Sequence, residues 1–111
     1  MVWRTLEAAA RRGWPVQFHT GFGDPDLDLR WANPLHLRPL LEHPAFRRVP
    51  FVLLHASYPY TREAGYLAAV YPHVYGDLGL AIPFLSQSGM RFVVRAFLEL
   101  APLSKILFST D

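Results

Sequence analysis

VPFVLLHAS, residues 49–57, carries no polar side chain between Val49 and Leu54 and then stops at a histidine, His55. A strand that alternates apolar and polar residues shows one face to water. A strand that is apolar throughout is buried on both faces, the condition of a strand inside a parallel sheet. This run therefore predicts an α/β protein, and the sequence on either side repeats its layout. Upstream, PVQFHTGFGD (15–24) is a shorter apolar run that ends in His19 and breaks at Gly21 and Gly23. Downstream, HVYGDLGLAIP (73–83) predicts a short strand breaking at Gly76 and Gly79, and ILFSTD (106–111) a last strand closing on Asp111.

Helical patterns fill the gaps. VWRTLEAAARR (2–12) has Trp3, Leu6 and its alanines on one side and is followed by Gly13 as a stop. Asn33 before Pro34 reads as an N-cap with proline in the first turn, leading into LHLRPLLEH with an awkward Pro39 inside it. Thr61 is the expected cap of REAGYLAAV, which Pro72 closes. SQSGMRFVVRAFLELAP (86–102) places Met90, Val93, Val94, Phe97 and Leu98 at helical spacing, the cleanest amphipathic pattern in the chain. DLDLR (26–30) alternates briefly and reads equally as a strand or a structured loop. Strands alternating with helices argue for βαβ units. Four strand-like segments are too few for an eight-stranded barrel and make half of one.

Bulk composition narrows the function classes. At 111 residues there is room for one domain, and 51% hydrophobic content is far above that of a disordered chain. Lys+Arg 11 against Asp+Glu 9 is a small excess, and Arg4, Arg11, Arg12, Arg47 and Arg48 are scattered as on a solvated surface, so no nucleic-acid partner is expected. Cysteine is absent, which removes disulfides, thiolate metal sites and cysteine nucleophiles. No apolar run approaches the ~20 residues that span a bilayer. The N-terminal stretch lacks the layout of a signal peptide, so a soluble cytoplasmic protein with no membrane partner is the expectation.

The polar residues at the strand ends carry the chemistry. In parallel α/β folds the C-terminal ends of the strands share one rim, and active sites collect there. His19, His55 and Asp111 all fall on that rim. Two imidazoles and a carboxylate suit zinc and its neighbours, and the carboxylate could equally take the proton of a metal-activated water. Each residue alone reads more simply as a hydrogen-bonded boundary residue; the recurrence points to a site. Asp77, at the end of the third run, reads as a turn or capping residue. His36, His43 and His73 read as structural or surface residues, and Asp24, Asp26 and Asp28 as a solvated loop face. GFGD lacks the spacing of a phosphate loop, and no serine has a nucleophile signature around it.

Taken together in this order, QFHTG, LLHAS, HVYGDLG and FSTD resemble the amidohydrolase-related family of metal-dependent TIM barrels, most closely the branch that includes amidohydrolase-like domains fused to glutamine synthetase. The resemblance runs from about Gly13 to Asp111. It implies the C-terminal half of a (β/α)8 barrel, strands 5 to 8, with residues 1–111 as a single partial domain. His19 then matches the metal-binding histidine of strand 5. His55 matches the strand 6 histidine that holds a second ion or acts in catalysis. Asp111 matches the strand 8 aspartate that touches the metal and shuttles the proton. Zinc is the usual ion, with manganese or iron also used. The implied reaction is hydrolysis of an amide or ester-type bond in a small-molecule substrate, and a related group decarboxylates acids. Arg30 and Tyr58, on the loops beyond the first two histidines, are candidate contacts to an anionic substrate, against a surface role. The family's His-x-His pair of strand 1 has no counterpart here. At most three of the usual five metal-site groups are therefore expected, and the half barrel should pair as a homo-oligomer or with a missing N-terminal half. A non-catalytic assembly module is the competing expectation.

Overall fold

The computed structural model describes residues 2–110. Four strands, β1 (Val16–Phe18), β2 (Phe51–Leu53), β3 (Val74–Asp77) and β4 (Ile106–Leu107), form one sheet in the order β1-β2-β3-β4. Every pair is parallel. Phe51 registers with both Val16 and Val74, and Asp77 with Leu107. The connections run through helices α1 (Val2–Arg12) before β1, α2 (Arg38–Leu41), α3 (Thr61–Val70), α4 (Ala81–Phe84) and α5 (Gln87–Leu98). Strand order follows chain order without reversal. A doubly wound sheet would reverse its order and carry helices on both faces, whereas a barrel wall does neither. The chain has the architecture of part of a TIM barrel.

Side-chain parity shows which face is covered. Val16, Phe18, Phe51, Leu53, Val74 and Ile106 pack into one apolar cluster with Leu6 of α1, Leu41 of α2, Leu67 of α3 and Phe97 of α5. Residues of the opposite parity, Gln17, Val52 and Leu107, line an open concavity instead. Gln17 and Leu107 are exposed, on a face that a closed barrel fills with side chains.

Several local expectations are corrected. Gly76 lies inside β3 rather than ending it, because the Phe97 ring occupies the space of its missing Cβ, with ring atoms 2.4 Å from that position. Thr61 is the first residue of α3 and not its cap; Tyr60 takes the cap position without a side-chain bond, and the buried Thr61 hydroxyl has no partner. The segment 34–41 splits into a 3-10 turn (Pro34–Leu37) and the one-turn α2, with Pro39 in the first turn of α2 where its missing N–H costs nothing. DLDLR folds as a 3-10 turn at Leu29–Trp31, not a strand. Asn33 does cap as expected, accepting from the Leu35 amide at 3.0 Å. Ser86 caps α5 by accepting from Gly89 at 3.1 Å.

His73 sits at the entry to β3, on the rim opposite the chemistry, between the Phe51 and Tyr71 rings. Its Nε2 is buried without a hydrogen-bond partner. Burial pushes its pKa below the usual histidine value, with nearby Lys105 adding to the effect and a Leu41 backbone bond opposing it. The folded chain therefore prefers the neutral ring. This contribution to stability is complete above the unfolded histidine pKa of ~6.5 and is lost as pH falls through the lower folded value. Urea melts between pH 8 and pH 5 should show stability falling on acidification, and His73→Asn should flatten that slope. An unchanged slope in the variant would remove His73 from the account.

Candidate metal centre at the strand ends

His19 follows β1 by one residue, with the parity of Gln17, and so faces the open side of the sheet. His55 has the parity of Phe51 and Leu53, so a strand continued through it would send the imidazole into the helix layer. The backbone prevents this. His55, Ala56 and Ser57 have φ of 63°, 51° and 52°, three consecutive residues in the left-handed region. Each costs ~1–2 kcal/mol for a residue with a Cβ, and strain of this kind gathers at functional sites. The turn re-aims His55 toward the mouth, where its Nε2 lies 3.1 Å from Nδ1 of His19.

The loops after β1 and β2 are clamped together. Thr20 Oγ1 donates to the Leu54 carbonyl at 3.2 Å, which leaves the Ser57 hydroxyl to donate to Thr20 at 2.7 Å. Thr20 and Ser57 are both buried. Gly21, at φ 77°, lies so close to the left-handed turn that a Cβ there would fall 2.3 Å from the Ser57 carbonyl carbon. The Phe22 amide donates to the Tyr58 carbonyl at 2.6 Å. Neither Thr20 nor Ser57 stood out in the sequence. The available signal was a small hydroxyl residue just after each strand-end histidine, in HTG and HAS.

The outer nitrogen of each ring meets a backbone carbonyl. His19 Nε2 lies 3.0 Å from the Phe22 carbonyl and His55 Nδ1 lies 3.3 Å from the Gly79 carbonyl. Carbonyls only accept, so each of these contacts calls for a ring N–H. The facing nitrogens, Nδ1 of His19 and Nε2 of His55, lie within hydrogen-bond distance of each other at 3.1 Å. A proton shared between the two nitrogens, or a metal ion bound by both, fits this spacing. Two imidazole nitrogens on a tetrahedral zinc stand about 3.3 Å apart, given Zn–N bonds of ~2.0–2.1 Å. Metal-binding histidines commonly donate their second nitrogen to a carbonyl, and both rings do so here. The donor set thus fits a divalent cation. Among the described residues no third His, Cys, Asp or Glu completes a three-ligand group. Asp111 lies outside the described residues.

A cavity of about 490 Å³ opens beside the pair, lined by Gln17, Val52, Leu54, His55, Asp77, Leu107, Phe108 and Ser109. Asp77 is buried, and its Oδ2 accepts from the Gly79 amide at 2.9 Å, the turn role its position suggested. Tyr58 stands at this rim with its ring 5.6 Å from that of Phe22. Arg30 is not drawn toward His19: its guanidinium is held by Asp28, Nη2 to Oδ2 at 2.7 Å, with a largely exposed side chain. That pairing also holds the Asp28 carboxyl below the usual carboxylate range. His36 donates to the Arg30 carbonyl at 3.0 Å, and His43 Nδ1 accepts from the Ala45 amide at 3.2 Å. Both are structural. No helix among the described residues is long and apolar enough to cross a membrane.

The sequence model described as Amidohydrolase matches residues 1–111. The chain belongs to the amidohydrolase family. It is 52% identical over 97 residues to Protein fluG of Emericella nidulans, an alignment covering 87% of this chain and 11% of that protein. It also superposes with a TM-score of 0.88, at 42% identity, on the crystal structure of a Lactobacillus casei ATCC 334 protein provisionally described as a metal-dependent hydrolase. That superposition covers 100% of this amidohydrolase-family chain and 29% of the bacterial one. The chain therefore spans a small part of each relative's length.

Proposed function

We propose that this chain supplies the strand-end rim of a metal-dependent hydrolase acting on an amide or ester-type bond of a small molecule. The observation that carries the reading is the pair of imidazole nitrogens that face each other, 3.1 Å apart, at the mouth of the sheet. His19 and His55 would hold the divalent ion, most simply zinc, with manganese or iron as substitutes. Such an ion, when bound, polarises a carbonyl and lowers the pKa of water toward neutrality. The Phe22 and Gly79 carbonyls would orient both rings and favour the tautomers that turn an acceptor nitrogen toward the ion. Asp111 is the group that takes a proton from the attacking water and returns it to the leaving group. Tyr58 would contact the substrate from the rim, and Arg30 would reach an anionic group only by exchanging Asp28 for it. A cytoplasmic setting suits this chemistry.

In this reading residues 1–111 correspond to strands 5 to 8 of the barrel. The bare concave face and the unpaired outer edges of β1 and β4 among the described residues favour completion by a second copy or by an N-terminal half. They also support the second reading, a non-catalytic assembly module. Zinc calorimetry separates the two. Micromolar or tighter binding, weakened at least tenfold in His19→Ala and in His55→Ala, is the expected result. His19 is exposed, so its replacement should leave the unfolding transition in place. A folded parent chain that gives no heat at millimolar zinc would favour the assembly module.

A further inference from the structure

We propose that Asp77 is a positioning residue of this centre: one buried carboxylate oxygen ties the turn that orients His55 to the tail that carries Asp111. The inference rests on the roles assigned above to His19, His55 and Asp111. Asp77 closes β3, is 5% exposed, and shares the cavity wall with His55 and Ser109. Its Oδ2 accepts two bonds, from the Gly79 amide at 2.9 Å and from the Ser109 hydroxyl at 3.1 Å.

The first bond reaches His55 through a single residue. Gly79 offers its amide to Asp77 and its carbonyl to Nδ1 of His55 at 3.3 Å. Leu80 follows at φ 58°, a left-handed residue with a full side chain, and the Ala81 amide donates to the same Gly79 carbonyl at 2.6 Å. The second bond extends the sheet. Backbone pairing between β3 and β4 ends with Asp77 opposite Leu107 and with the Leu78 amide on the Leu107 carbonyl at 3.2 Å. Ser109 lies beyond that last pair, two residues before Asp111, and its hydroxyl on Asp77 continues the contact. A simple turn residue explains only the Gly79 bond. Placement in the shared cavity and the bond to Ser109 require the wider role.

The test compares the parent 111-residue chain with Asp77→Ala, Asp77→Asn and Ser109→Ala, by imidazole nitrogen NMR without metal and by zinc calorimetry. In the parent, His55 should show hydrogen on Nδ1. Asp77→Ala should average His55 between tautomers and weaken zinc binding by about 10–100-fold, the range for lost outer contacts of a metal site. Asp77→Asn keeps an acceptor oxygen for Gly79 and should restore the tautomer. Ser109→Ala cuts only the tail arm, so it should leave the tautomer alone yet weaken zinc. A folded Asp77→Ala chain with the parent's His55 signals would overturn the proposal. If that variant does not fold, parent-like zinc binding in Ser109→Ala would overturn it. A parent that binds no zinc counts against the metal reading, while the tautomer comparison still decides Asp77.

Discussion

Gly21→Ala is expected to cost the fold about 2–4 kcal/mol and to part His19 from His55. Two effects add. At φ 77° a side chain is strained, and the new Cβ would fall 2.3 Å from the Ser57 carbonyl carbon and 2.4 Å from the Tyr58 carbonyl oxygen. These are backbone atoms in the left-handed turn, which is already strained and closed by the Thr20–Ser57 bond, so they cannot simply swing aside. Gly13→Ala is the control, because Gly13 also has positive φ, 65°, but nothing within 4 Å of its Cβ position. It should show the backbone penalty of ~1–2 kcal/mol alone. Urea unfolding of the two variants measures the difference. Equal costs would mean that the close approach of the two loops contributes nothing.

Phe97→Ala should be the most damaging single change in the core, at about 3–5 kcal/mol. Domains of this size have only ~5–15 kcal/mol in total. Phe97 is fully buried, and its ring lies over Gly76 while its backbone lies over Gly65 of α3. One side chain thus seats α5 on the strand that carries Asp77. The same contact makes Gly76→Ala an overpacking change of ~1–3 kcal/mol, since the added methyl meets the ring at 2.4 Å. The pair should be strongly coupled: Gly76→Ala with Phe97→Leu should be more stable than the sum of the single changes predicts. Strict additivity in thermal or urea melts would contradict this packing.

The parallel sheet was legible in the sequence because its signal is local. An unbroken apolar run at 51–54 and strands alternating with helices suffice, and the strand ends then place His19 and His55 on one rim. What could not be read depends on residues distant in the chain. Gly76 looks like a strand breaker until Phe97, 21 positions on in the sequence, is seen to fill its Cβ space. His55 has the wrong parity to face His19, and only the left-handed turn corrects it; nothing in HAS announces positive φ at three residues with side chains. Asp77 was legible as a turn or capping residue from its place at the end of its strand, but the bond from Ser109 spans 32 residues. Thr61 looked like a cap because threonine usually caps, yet α3 begins one residue earlier than that role requires.

Anomalous diffraction from crystals of the chain soaked in zinc is the most direct measurement of the two-histidine centre. The expected result is a single strong peak bonded to both Nδ1 of His19 and Nε2 of His55, with the Phe22 and Gly79 carbonyls still holding the opposite nitrogens. Zinc bound only elsewhere on the surface, with the two rings still in contact and no density between them, would contradict it.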